Sequence, residues 1–224
     1  MADAAKRAAA EAAADLVQPG DRLGLGTGST VAELLEVLAE RDADVTGVPT
    51  SEATAQRCHE LGIGLLDPAR VDVLDLTIDG ADELDHELTA TKGGGGALLR
   101  EKVVASMSRR MVVIATPDKL VDRLADTFPL PVEVVPFAVG PVSRALTELG
   151  FDVVVRHGDD GSPVRTDNGN AVVDARFPGG LDDPAVMDVE VTMLPGVVTS
   201  GLFVDLVDTA FLGHPDGRVD VVSL

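Results

Sequence analysis

The sequence has no tryptophan, no tyrosine, a single cysteine, six phenylalanines and four histidines among its 224 residues. One cysteine, Cys58, excludes an internal disulfide and a thiolate metal cluster within the chain, and its helical-looking surroundings point to a packed thiol rather than a nucleophile. His59, His86, His157 and His214 fall at no ligand-like spacing, so no metal is expected. Lysine is scarce: Lys6, Lys92, Lys102 and Lys119 stand against fourteen arginines. A lysine kept in such a chain is more apt than usual to have a task. No apolar run approaches the roughly 18 residues that a membrane span needs. The Ala-rich start "MADAAKRAAAEAAADLVQPG" carries Asp3, Glu11 and Asp15 where a signal peptide needs an apolar core, so an ordinary first helix and a cytoplasmic protein are expected.

What the sequence has in excess is acid. Against 38 Asp and Glu there are 18 Lys and Arg, a formal net charge of −20. Such a surface repels nucleic acid and anionic membranes, because phosphate binding needs clustered cations. With 45% hydrophobic residues the chain still has material for a sizeable core. An acidic, lysine-poor but core-rich composition suggests adaptation to a salty cytosol, where self-repulsion is screened.

The first half alternates strand and helix. A helix from Ala4 to Val17 stops at Pro19-Gly20, and "DRLGLGTGST" reads as a strand, a Gly-rich turn and a helix from about Val31 to Arg41. Strand "VTGVP", helix "SEATAQRCHELG" with Ser51 as N-cap, strands "IGLL" and "VLDLTID", helix Ala97 to Met107, strand "MVVIA" and helix Asp118 to Ala125 continue the series. This order indicates a Rossmann-like parallel sheet covered on both faces. From "FPLPVEVVP" onward the pattern becomes β-α-β-β-α-β, a ferredoxin-like α+β unit, ending in strand "GVVTSGLF". The tail, with its Pro-Asp-Gly turn, is expected to rejoin the first domain. The division expected is residues 1–127 plus 201–224 for the Rossmann-like part and 128–200 for the ferredoxin-like part.

Three segments carry chemistry. In "GLGTGST" (Gly24 to Thr30), backbone N–H groups at a helix start and the hydroxyls of Thr27, Ser29 and Thr30 can point at an anion. As a dinucleotide fingerprint the turn fails, since Thr30 stands at the third glycine and no acidic residue closes the next strand. A sugar or single-phosphate binder fits better. Strand "VLDLTID" ends in Asp79, and "DGAD" adds Asp82 three residues on, at a strand end where α/β sheets bind ligands; taken alone, the stretch reads first as a turn capped by Asp82 or Glu83. In "KGGGGALLREK", Lys92 opens a glycine turn that lets N–H groups approach an oxyanion. Glu101 follows as the one charge on the helical stripe of Ala97, Leu98, Val104 and Ala105, where burial would push a carboxyl toward the range useful for a general base.

These blocks, with "PDKLV", "PLPVEVVP", "TDNGN", "PGVVTSGLF" and "PDG" in the same order, cover most of the chain, which resembles ribose-5-phosphate isomerase of the A type. The resemblance implies a Rossmann-like domain with an inserted ferredoxin-like domain, a homodimer or homotetramer, and interconversion of ribose 5-phosphate and ribulose 5-phosphate without metal or cofactor. Carried over by position, the substrate loops fall on Thr27, Gly28, Ser29 and Thr30, on Asp79, Gly80, Ala81 and Asp82, and on Lys92, Gly93, Gly94 and Gly95. The catalytic base falls on Glu101, a further ligand lysine on Lys119, and an N-terminal lysine that reaches the site in some members on Lys6, beside Arg7. Lys92 would stabilise an enediolate oxygen or anchor substrate, and Asp79 with Asp82 would assist ring opening. Two rivals are a sugar-phosphate-binding regulatory module, which should carry a DNA-binding segment, and another sugar-phosphate enzyme of the same fold, such as an amino-sugar phosphate deaminase, which should place a histidine among these blocks.

Overall fold

The structure, a computed structural model, describes residues 2–223. In chain order the elements of the first half are α1 (Ala2–Ala14), β1 (Arg22–Leu25), α2 (Ser29–Glu40), β2 (Thr46–Pro49), α3 (Glu52–Leu61), β3 (Gly64–Leu65), β4 (Leu76–Asp79), β5 (Glu83–Leu84), β6 (Ala90–Thr91), α4 (Leu98–Ser106) and β7 (Met111–Ala115). They continue with β8 (Leu130–Val134), α5 (Val139–Glu148), β9 (Asp152–Val155), β10 (Ala171–Arg176), α6 (Pro184–Thr192), β11 (Val197–Ser200), β12 (Leu202–Phe203), β13 (Thr209–Gly213) and β14 (Val219–Ser223). The chain divides into two units, one of residues 1–81, 100–120 and 205–224, the other of residues 82–99 and 121–204.

The first unit is built on a seven-stranded sheet in the order β14-β13-β7-β4-β1-β2-β3. All its pairs are parallel except β13 with β14. Side chains alternate across the pleat. Leu23 and Leu25, Leu76 and Ile78, and Val112 and Ile114 join one core with Ala9, Ala13, Leu34, Leu38 and Cys58 of the first three helices. The opposite face takes α4, whose Val104 forms a smaller core with Val48 and Leu74. Gly24 is required there, because a Cβ would lie 1.9 Å from Thr77 Oγ1 and 2.5 Å from Val104. Ser51 caps α3 as expected, accepting from the Thr54 N–H at 3.1 Å. The tail returns to this unit as β13 and β14.

The second unit carries a four-stranded antiparallel sheet, β11-β8-β10-β9, with α5 and α6 in the β-α-β-β-α-β order expected. Leu130, Val132, Val134, Val173 and Ala175 turn inward to meet Val142, Leu146 and Val191. Phe151 and Phe177 meet edge to face with centroids 5.1 Å apart. On the other face Glu133, fully buried, accepts on Oε1 from Thr166, Asn168 and Asn170, which accounts for the polar run "TDNGN".

Three expectations differ from the structure. Residues 118–125 form no helix: a 3-10 turn covers only Pro117–Lys119. The chain then takes its hydrogen bonds elsewhere, Val121 N–H to Leu84 O and Ala125 N–H to Glu83, with Ala125 at φ +66. "GVVTSGLF" is two strands, β11 and β12, the second pairing with β6 beside β5 in a three-stranded sheet of its own. Residues 82–99, 121–127 and 201–204 group with the second unit rather than with the first. Glu83 ties the first two of those stretches together, accepting from the N–H groups of Ala125 and Phe128 at 2.8 Å each.

Candidate active site

In the first unit the strand order reverses between β1 and β4. The chain runs outward through β2 and β3, then returns to place β4 on the other side of β1. Ligands of open α/β sheets bind outside the strand carboxyl ends at such a switch point. Here those ends are Gly26-Thr27 and Asp79. Asp79 is fully buried, and its Oδ1 accepts from the N–H groups of Thr27 at 3.0 Å and Gly80 at 2.7 Å. Gly26 allows this closeness, since a Cβ on it would sit 2.0 Å from Asp79 Oδ1.

The turn after β1 is held from below by hydroxyls. Thr27 Oγ1 lies 2.7 Å from Thr50 Oγ1 and donates to Ser51 Oγ at 2.9 Å; Ser51 donates to Thr54, which donates to Gly26 O at 2.8 Å. Such chains polarise one another. Gly28 then takes φ +116 with nothing within 4 Å of a notional Cβ, and Ser29 and Thr30 open α2. Gly28 and Ser29 are exposed, so the helix start faces outward.

Glu101 lies in the first turn of α4, only 4% exposed, on one stripe with buried Val104 and Ala105. Val104 borders Gly24, whose notional Cβ also meets Thr77. Thr77 and Asp79 are two residues apart on β4 and share a face. A helix joining parallel strands runs back along the sheet, so its first turn stands at the strands' carboxyl ends. Glu101, one turn ahead of Val104, is therefore on Asp79's face and toward its end of the sheet. The neighbouring Arg100 bonds Glu52 at 2.9 Å. Lys119 is half-buried in the turn after β7. Lys6 is half-buried on α1, and the neighbouring Arg7 is engaged with Glu11 and Glu40.

In the second unit, Lys92 is 2% exposed, with Nζ 5.4 Å from the centre of the Phe203 ring. Its N–H donates to Gly201 O at 2.9 Å. Gly93 takes φ +106, and a Cβ on it would meet Leu98 and Pro131 at 2.9 and 3.1 Å. Gly94 donates its N–H to Asp82 Oδ2 at 2.7 Å. Asp82 is thus a loop anchor in this structure. Gly94 and Gly95 are exposed.

Sequence reasoning missed the Thr50, Ser51 and Thr54 hydroxyls behind Thr27, although the N-cap role of Ser51 was legible. It also missed Arg156, which donates to the carbonyls of Gly93 and Gly94, and Asp174, which holds Arg156; neither has a local signal. Cys58 is a packed thiol, its ionisation pushed up to about 11 by burial. Among the described residues no three His, Cys, Asp or Glu side chains gather as a metal site would need, and no helix is long and apolar enough to cross a membrane.

A doubly covered α/β sheet with a carboxylate and a hydroxyl-backed turn at its switch point, joined to an antiparallel α+β unit, defines a class of proteins that take small polar ligands at strand ends. The sequence pattern of the family described as ribose 5-phosphate isomerase A (phosphoriboisomerase A) matches residues 46–217. The chain is 49% identical to ribose-5-phosphate isomerase A of Methylorubrum extorquens, over 98% of this chain and 96% of that one. It resembles the solved ribose 5-phosphate isomerase A of Methanocaldococcus jannaschii with a TM-score of 0.92 and 38% identity, covering 98% of each. A D-ribose-5-phosphate isomerase solved in complex with phospho-erythronic acid gives 0.94 at 36% identity, covering 98% and 97%. The chain belongs to the ribose 5-phosphate isomerase A family.

Proposed function

We propose that this chain interconverts ribose 5-phosphate and ribulose 5-phosphate through an enediolate, with Glu101 as the general base, and so serves pentose phosphate metabolism. The observation that carries the mechanism is a carboxylate 4% exposed on an apolar helical stripe, at the end of the sheet that Asp79 occupies. Membership of the family and the likeness to a relative solved with phospho-erythronic acid support the sugar-phosphate substrate.

The chemistry needs one base acting twice. Asp79, with Asp82, assists opening of the furanose ring. The Glu101 carboxylate then removes the proton on C2 of the open aldose; the electron pair forms the C1–C2 double bond and the carbonyl oxygen on C1 takes the negative charge. Lys92 and nearby backbone N–H groups stabilise that oxygen. Glu101 returns the proton to C1 while the hydroxyl proton on O2 passes to O1, leaving the carbonyl on C2. Thr27 to Thr30 hold the substrate with the segment Asp79 to Asp82, Gly93 to Gly95 and the side chains of Lys119 and Lys6. No metal or cofactor takes part, and the enzyme works as a homodimer or homotetramer in a salt-rich cytoplasm.

Incubating pure protein with ribose 5-phosphate and assaying ketose tests the reading. Ketose formation at a protein-dependent rate is expected. Folded protein that forms none from dilute buffer to molar potassium chloride contradicts it.

A further inference from the structure

We propose that Arg156, held by Asp174, is a positioning residue for the isomerisation: its guanidinium sets the peptide planes of the Gly93–Gly95 loop that follows Lys92. The proposal rests on the isomerase reading above and extends it to residues outside the substrate loops.

The geometry uses the whole guanidinium. Nε donates to Asp174 Oδ2 at 2.8 Å, Nη2 donates to Asp174 Oδ1, and Nη1 donates to the carbonyls of both Gly93 and Gly94 at 2.9 Å. The two side chains are 16% and 18% exposed, so the pair is held largely away from water. Arg156 is fixed at its backbone as well, donating to Val172 O and accepting from Val164 N–H. Asp174 stands on β10, in the middle of a register with β8 and β9. The anchor is a sheet, and what it grips is a loop with no side chains of its own.

Four glycines in a row have no rotamers to lock and lose much backbone freedom on ordering. One turn bond within the loop, Gly96 N–H to Gly93 O at 2.9 Å, supplies part of the order, and the rest must come from outside. A trans peptide sets its N–H opposite its C=O. With the carbonyls of Gly93 and Gly94 both turned onto Arg156, the N–H groups of Gly94 and Gly95 point away from it. Gly94 N–H meets Asp82 there, and peptide planarity carries the Gly95 N–H away from Arg156. The loop's donors are thus oriented by its acceptors. Lysine cannot substitute, because one ammonium does not span a carboxylate and two carbonyls in a plane.

A pair serving stability alone would leave the turnover of folded protein unchanged when loosened. The test compares wild type, Arg156→Lys and Asp174→Asn by kcat and KM for ribose 5-phosphate, and by amide hydrogen exchange across residues 92–96 without substrate. A misplacement of about 1 Å can cost about 100-fold in rate. We expect kcat/KM to fall by about that factor in Arg156→Lys, mainly in kcat, with a smaller fall in Asp174→Asn and faster exchange in residues 92–96 in both. The double variant should be no worse than Arg156→Lys alone, since the two act as one device. Folded variants with kcat/KM within about threefold of wild type, well short of a positioning loss, overturn the proposal and leave the isomerase reading standing. Unchanged exchange in the loop overturns it as well. If Arg156→Lys does not fold, Asp174→Asn decides by the same two readouts. A wild-type protein that does not isomerise ribose 5-phosphate removes the underlying reading and this proposal with it.

Discussion

Gly26→Ala is a one-carbon perturbation aimed at the switch point. The added Cβ would lie 2.0 Å from Asp79 Oδ1, 2.1 Å from its Cγ and 2.6 Å from its Cβ. Gly26 is not at positive φ, so backbone strain is not the issue. Nor can the neighbour yield as the tip of a flexible side chain would, because Asp79 is fully buried and its Oδ1 holds the N–H groups of Thr27 and Gly80. Displacing the carboxylate gives up two hydrogen bonds to a charged group, each contributing about 1.5–3 kcal/mol, so a loss of about 4 kcal/mol is expected. For a chain of this size that corresponds to a fall in Tm of about 8–16 °C. Gly28→Ala is the contrast. At φ +116 with open space around it, it meets only backbone strain, costing about 1–3 kcal/mol. Scanning calorimetry of both variants separates the effects. Replacing Asp79 by Ser should also cost less in the Gly26→Ala background than in wild type, because the two sites share one interaction. A Gly26→Ala protein melting within about 2 °C of wild type would refute the steric argument.

The other predictions concern charge and metal. Burial raises the Glu83 carboxyl above its ordinary 4.5, against the pull of the Ala125 and Phe128 amides. The unfolded chain loses that proton near 4.5 and the folded chain only at higher pH, so between the two values the folded state holds more protons and stability falls as pH rises. Unfolding free energy measured across this window should slope downward more steeply in wild type than in Glu83→Gln, and equal slopes would contradict it. With a net charge of −20, self-repulsion is felt over a Debye length of about 30 Å at 0.01 M salt and about 3 Å at 1 M. Tm should rise from dilute buffer to molar potassium chloride, and a flat profile would remove the halophilic reading. Chelator treatment should leave ketose formation intact, because a carboxylate and a lysine suffice for this proton transfer; activity lost to chelator and restored only by a divalent metal would overturn that.

Local rules made the alternating elements of the first unit legible. Ser51 capped the helix it preceded, "MVVIA" became β7, and the β-α-β-β-α-β order emerged as the four-stranded antiparallel sheet. The expected helix over 118–125 failed because its N–H groups are claimed by distant acceptors, Leu84 O and Glu83, that no local pattern announces. The short strands β5, β6 and β12, two residues each, are fixed by pairing with one another and carry too few residues for a period. The site divides in the same way. Asp79 at a strand end and Glu101 on an apolar stripe were visible because each breaks a local pattern. Arg156 and Asp174 were not, since an Arg just past β9 and an Asp on β10 look like solvated residues until the fold brings the guanidinium onto a glycine loop.

Glu101→Gln tests the mechanism most directly. The substitution keeps shape and hydrogen-bonding capacity but cannot take a proton. On a stripe with buried Val104 and Ala105 an amide is no costlier to bury than a carboxylate, so the variant should fold as well as wild type. Ribose 5-phosphate should still bind, since Lys92, Lys119, Asp79 and the Thr27 to Thr30 turn are untouched. A general base contributes about 100- to 10,000-fold, and one that handles the proton in both half-steps belongs at the upper end. The measurement is single-turnover conversion of ribose 5-phosphate by folded, substrate-binding Glu101→Gln. A loss approaching about 10,000-fold is predicted, whereas turnover above about a tenth of wild type would show that Glu101 is not the base and turn attention to Asp79.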